Sequence, residues 1–193
     1  RSWKPDMHLL GETSGKNAII VTPSADPDIA VRDAVYSAFA HAGQKCSASS
    51  LLVLVSSAGT SERIARQLVD ATASLRVRLP LSLDSQMGPV VVPDDEKAVR
   101  GLTTLGSGEH WVLKPRYLGD GLWTPGIRAG VVPGSEFHLT EYFAPVIGVM
   151  RVDTLQEAIE AVNAVDYGLT SGIQTLDATE LAIWLEGVQA GNL

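Results

Sequence analysis

A single cysteine, Cys46, lies in the run Gly43-Gln44-Lys45-Cys46-Ser47. Upstream is Gly11-Glu12-Thr13-Ser14-Gly15-Lys16-Asn17, and downstream is Glu141-Tyr142-Phe143-Ala144-Pro145-Val146. Each of these runs is marked by Gly or Pro, so each reads as a loop in which a side chain can meet a ligand. A lone thiol flanked in sequence by two carboxylates suits covalent oxidation of an aldehyde. The thiolate adds to the carbonyl, one carboxylate brings water to the resulting thioester, and the other can hold the ribose of a redox cofactor.

Each residue also has a plainer reading. A lone cysteine is often a small buried hydrophobe, a glutamate is ordinarily a solvated charge, and Phe143 alone is an ordinary core aromatic. Thr170-Ser171-Gly172 alone is a turn with capping hydroxyls. Cys46 departs from its plainer reading because it follows an apolar helix and sits among polar Gln44, Lys45 and Ser47.

The three runs, in this order, resemble the NAD(P)-dependent aldehyde dehydrogenase superfamily, whose pattern is Glu-Leu-Gly-Gly-Lys, then Gly-Gln-x-Cys, then Glu-x-Phe-Gly-Pro-Val. Any one match is weak, and the three together are specific. Ser2-Trp3-Lys4-Pro5-Asp6, Phe137-His138-Leu139-Thr140-Glu141 and Tyr167-Gly168-Leu169-Thr170-Ser171-Gly172-Ile173 narrow it. They look like the L-glutamate γ-semialdehyde (pyrroline-5-carboxylate) dehydrogenase half of bacterial bifunctional proline-utilisation proteins. The resemblance implies Cys46 as nucleophile and Glu12 as the base for the deacylating water. It implies Glu141 on the nicotinamide ribose of NAD, Phe143 near the nicotinamide ring, and Ser47, Ser171 and Gly172 as anchors for an amino-acid head group. Ala144 stands where the family has glycine, so a tight loop would have to take an added methyl. Another aldehyde is the alternative substrate, and a fragment inactive by itself is the alternative state. Acyl transfer to coenzyme A needs no hydrolytic base, so Glu12 argues against it.

The resemblance also implies that residues 1–193 are one catalytic domain of a longer enzyme, without its NAD-binding half and oligomerisation flap. The partners it implies are a small-molecule aldehyde, a second copy in a homo-oligomer, and a fused proline dehydrogenase domain.

Composition sets outer limits. With 45% hydrophobic residues among 193, the chain can bury a sizeable core, and it reads as one domain. A net charge of −7 with no basic block argues against nucleic acid and anionic membrane as partners. No apolar run approaches the roughly 18 residues of a membrane helix. One cysteine forms no internal disulfide, which fits a reducing, cytoplasmic compartment. His8, His41, His110 and His138 lack ligand spacing, so no metal site is expected. Gly106-Ser107-Gly108 lacks the third glycine of a dinucleotide fingerprint, and no Gly-x-Ser-x-Gly elbow is present.

The elements that must position these loops follow from periodicity. Ala18–Val21 and Leu51–Val55 are apolar runs that read as buried strands, each followed by a helix: one capped at Ser24 or Asp26 and running through His41, one opened by Ser61. Asp94–Leu105 reads as a helix and 111–113 as a strand. The glycine-rich stretch from Gly119 to Gly134 reads mostly as loop. Pro145–Val152 reads as a further strand, Thr154 with Glu157 as a capping box opening a helix, and Ser171–Thr175 with Ala178–Glu186 as a last strand and helix. Strands alternating with helices predict an open, largely parallel α/β sheet with helices on both faces.

Overall fold

The structure is a computed structural model that describes residues 6–8 and 14–193. Glu12 and the Ser2–Pro5 run therefore lie outside the described residues.

Alternation of side chains builds the core. Strand β1 (Asn17–Val21) turns Ile19 and Val21 to one face of the sheet and Ala18 and Ile20 to the other. Strand β2 (Ser49–Val55) does the same with Leu52 and Leu54 against Leu51 and Val53. Strands buried on both faces are continuous apolar runs because both faces are covered by helices. Helix α1 (Pro27–Phe39) and helix α2 (Glu62–Ala73) cover the first face with Val31, Phe39, Ile64 and Leu68. Helix α3 (Glu96–Thr103) covers the second with Ala98 and Leu102.

Next come β3 (His110–Leu113), a two-stranded ribbon of β4 (Tyr117–Gly119) and β5 (Leu122–Trp123), and β6 (Gly126–Val131). The short helix α4 (Glu136–Leu139), β7 (Val146–Val152), α5 (Leu155–Asn163), β8 (Ser171–Gln174) and α6 (Ala178–Gly187) complete the chain. Helices α5 and α6 lie with α3 on the second face, through Ala158, Ile159 and Trp184. The sheet runs β3-β6-β7-β2-β1-β8, and every pairing is parallel except β3 with β6. The expected open, largely parallel sheet with helices on both faces is the observed architecture.

Helix starts follow their caps. Asp26, not Ser24, opens α1 and accepts from the Asp28 and Ile29 amides. Ser61 opens α2, and Thr154 with Glu157 forms the capping box of α5; such caps contribute about 1 kcal/mol each. Helix α1 ends at Phe39, before the expected His41. His41, Ala42 and Gly43 then take left-handed backbone conformations and swing the chain toward Cys46.

The middle stretch corrects the sequence reading. Residues 126–131 form β6, an inner strand between β3 and β7. Its pattern is hidden by a buried Arg128 and by two glycines with structural tasks. Gly126 makes room for Pro115, and Gly130, at φ +82°, lies where the register shifts against β7. Arg128 is tolerated because its guanidinium pairs with Glu109 at 2.9 Å, donates to the Gly101 carbonyl, and lies against the Trp111 and Phe137 rings.

Candidate active site

Strands β7, β2, β1 and β8 are parallel neighbours, so the loops entering them emerge at one edge of the sheet. Glu141–Ala144 enters β7, Cys46–Ser47 enters β2, Gly15–Lys16 enters β1, and Thr170 enters β8. That edge is the amino-terminal one. Ligands of open α/β sheets usually sit at the carboxyl ends of the strands. Here the chemistry-bearing residues gather at the opposite end.

Gly15 joins the motifs physically. Its amide donates to Glu141 Oε1 at 2.9 Å, and a Cβ at this position would collide with the Cys46 carbonyl oxygen. Only glycine lets the first run pass between the other two. Lys45, Cys46 and Ser47 are exposed, and the Cys46 thiol is free. The loop is closed by the Ala48 amide donating to the Lys45 carbonyl at 3.0 Å.

Gln44 braces the other side. Its Nε2 donates to the Phe143 carbonyl at 3.0 Å, and its Oε1 accepts from the Val91 amide at 2.7 Å. Gly43, at φ +67°, packs against the Ala144 carbonyl so closely that a Cβ would clash. Phe143 itself is left-handed at φ 52° and 39% exposed, so it is not the core aromatic of its plainer reading. Ala144 is buried with an ordinary negative φ, so the methyl that replaces the family's glycine brings no backbone strain.

Glu141 is largely buried, with Oε2 lying 3.7 Å from Lys97 Nζ. A cleft of about 390 Å³ opens beside it, lined by Ser14, Gln44, Val91, Lys97, Glu141 and Phe143. Behind it, Lys16 is buried with its Nζ 4.0 Å from the centroid of the Phe137 ring. Burial, then the charge of Arg128, lowers its pKa to about 7. Tyr142 donates to Glu136 at 3.0 Å, and burial pushes its hydroxyl up to about 12. His138 accepts from the Gly134 amide through Nδ1 and meets the Ala161 carbonyl through Nε2, which makes it a structural brace.

Ser47 stands beside Cys46 and is exposed. Ser171 does not lie on an open loop. It is 6% exposed within β8, and alternation sets its side chain with Ile173, on the face covered by α5 and α6. Gly172 pairs with Ile19 inside the sheet. Two residues missed in sequence hold the loops instead: Gln44 and Asn17. Their signal is a polar residue at the border of an apolar element, where a buried amide must find partners. No group of three potential metal-ligating side chains occurs among the described residues. No helix of the described residues is long and apolar enough to cross a membrane.

Known proteins share this fold. Proline utilization A (PutA) from Corynebacterium freiburgense superposes with a TM-score of 0.95 at 53% identity, over 100% of this chain and 20% of that one. A 1-pyrroline-5-carboxylate dehydrogenase from Thermus with bound NAD superposes with a TM-score of 0.84 at 34% identity, over 94% of this chain and 35% of that one. The 1-pyrroline-5-carboxylate dehydrogenase of Bacillus subtilis is 29% identical over 188 residues, covering 96% of this chain and 36% of the relative. The chain thus spans little more than a third of that relative's length. The family model described as "Aldehyde dehydrogenase family" matches residues 7–193, and the chain belongs to that family.

Proposed function

We propose that this chain is the catalytic domain of a longer enzyme that oxidises L-glutamate γ-semialdehyde to L-glutamate with NAD. The observation that carries the reading is the seat of Gly15, bonded to Glu141 and packed beneath the Cys46 carbonyl, which gathers all three motifs at one sheet edge. In this reading the Cys46 thiolate adds to the aldehyde carbon and forms a thiohemiacetal. NAD bound in the cleft would supply the hydride acceptor that turns this adduct into a thioester. Glu12 takes a proton from water, the hydroxide attacks the thioester, and the acid leaves as Cys46 is released.

The cleft suits one end of that cofactor. Glu141 offers a carboxylate to ribose hydroxyls, Lys97 lies beside it, and the Phe143 ring is open to a flat partner. The sequence holds no dinucleotide fingerprint, so the adenine and phosphates would be held elsewhere in a longer polypeptide. The likeness to PutA supports fusion to a proline-oxidising portion, and the lone cysteine suits a cytoplasmic setting. Among the described residues, Ser47 offers an exposed hydroxyl next to Cys46 for an amino-acid head group. The buried Ser171 hydroxyl favours a second reading, an enzyme tolerant of other aldehydes.

The test uses the full-length protein and follows NADH formation. The semialdehyde should be oxidised with a higher kcat/KM than an aldehyde of equal length lacking the amino-acid head, and Cys46→Ala should abolish turnover. Glu12→Gln should slow turnover by roughly 10²–10⁴-fold, the range of a lost general base. Equal kcat/KM for the two aldehydes would overturn the substrate assignment, and persistent turnover in Cys46→Ala would overturn the chemistry.

A further inference from the structure

Asn17 is 3% exposed, and its amide bonds two loops of the site. Nδ2 donates to the Cys46 carbonyl at 2.6 Å and to the Ala48 carbonyl at 3.0 Å, while Oδ1 accepts from the Thr170 amide at 3.1 Å. The Thr170 hydroxyl reaches the carbonyl between them, that of Ser47, at 3.5 Å. Three consecutive carbonyls of the cysteine loop are thus held from one side by Asn17 and Thr170. The thiol itself makes no hydrogen bond among the described residues, so its place is set by this backbone. The chemistry demands an amide. Aspartate has no donor and would set a carboxylate against two carbonyls, and leucine of similar size satisfies none of the three partners.

We propose that Asn17 is a positioning residue for Cys46, fixing the thiol-bearing loop against the loop that enters β8. The role rests on the reading of Cys46 as nucleophile. A side chain that merely braced the fold would spread its bonds over the core. Among the described residues, Asn17 sends its side-chain bonds to the two loops entering the neighbouring strands, on the edge where Cys46 stands.

The test compares wild type, Asn17→Asp and Asn17→Ser in the full-length protein. Serine keeps one donor and a small side chain, so it folds where aspartate fails. In Asn17→Asp, kcat should fall about 10²-fold, the loss typical of a reacting group displaced by about 1 Å. KM for NAD should stay unchanged in both variants, the pH profile should stay unchanged in Asn17→Ser, and Asn17→Ser should recover part of the rate. Amide hydrogen exchange should quicken in both variants at Ala48, whose amide closes the loop on the Lys45 carbonyl, with β2 unchanged. A lowered melting temperature with kcat intact would overturn the proposal. So would unaltered exchange at Ala48, whatever reaction Cys46 performs. If wild type oxidises no aldehyde, the proposed function fails while the exchange measurement still decides the role of Asn17.

Discussion

Replacing Lys16 with methionine should stabilise the protein, and by an amount that depends on pH. The amine is buried, has no hydrogen-bond partner among the described residues, and shares the Phe137 ring with Arg128, whose guanidinium carbon is also 4.0 Å from the centroid. Its pKa falls from 10.5 in the open chain to about 7 in the fold. At 1.36 kcal/mol per unit, keeping a proton on this amine costs the folded state about 5 kcal/mol. The sign follows from proton counts. Above 10.5 neither state carries the proton, and no cost remains. Between 7 and 10.5 the unfolded chain holds a proton that the fold lacks, so stability rises with pH. Below 7 both are protonated, and the full cost persists. Lys16→Met should therefore gain most at acid pH, and the gain should shrink through the window from 7 to 10.5. The lost cation–π contact takes back about 0.5–2 kcal/mol. Urea titrations of both proteins at about pH 6, 8 and 10 give the difference directly, other groups cancelling between them. A difference that stays flat with pH would refute the reasoning.

Two further outcomes follow from the same geometry. Iodoacetamide under native conditions should place one adduct on the chain, at exposed Cys46, and mass spectrometry showing complete resistance would contradict the observed loop. Glu109→Gln should destabilise by about 3–5 kcal/mol in a denaturant titration, because the Arg128 guanidinium keeps its buried charge and loses its partner; a loss within the error of the fit would refute that account.

What the sequence made legible was whatever rests on local chemistry. Strands β1, β2 and β7 announce themselves as apolar runs, and α1, α2 and α5 by the caps Asp26, Ser61 and the Thr154–Glu157 box. Strand β6 was hidden because Arg128 is paid for by Glu109 across the β3–β6 pairing, a partner no local window reveals. The three motifs could be found as strings, but their meeting depends on the strand order β7-β2-β1, which is set by long-range pairing. Ser171 reads in sequence both as the first residue of a strand and as an anchor for a head group; pairing with Ala18 places it in the sheet with its side chain buried. Asn17 reads in sequence as the last letter of a motif, although it ties two loops together.

The siting of the loops at the amino ends of the strands has an electrostatic consequence. Helices α1 and α5 run back from the far edge, so their carboxyl-terminal ends, each bearing about half a negative charge, point toward the edge that bears Cys46. Neither has a basic residue in its last turn to offset this. The edge is thus biased against phosphates and toward cations, by roughly 0.3–1 kcal/mol per helix at short range. For a cofactor whose reacting ring is cationic before oxidation of the substrate and neutral afterwards, such a field holds the incoming form more tightly than the outgoing one. The fold's own dipoles would then favour loading of the oxidised cofactor and departure of the reduced one.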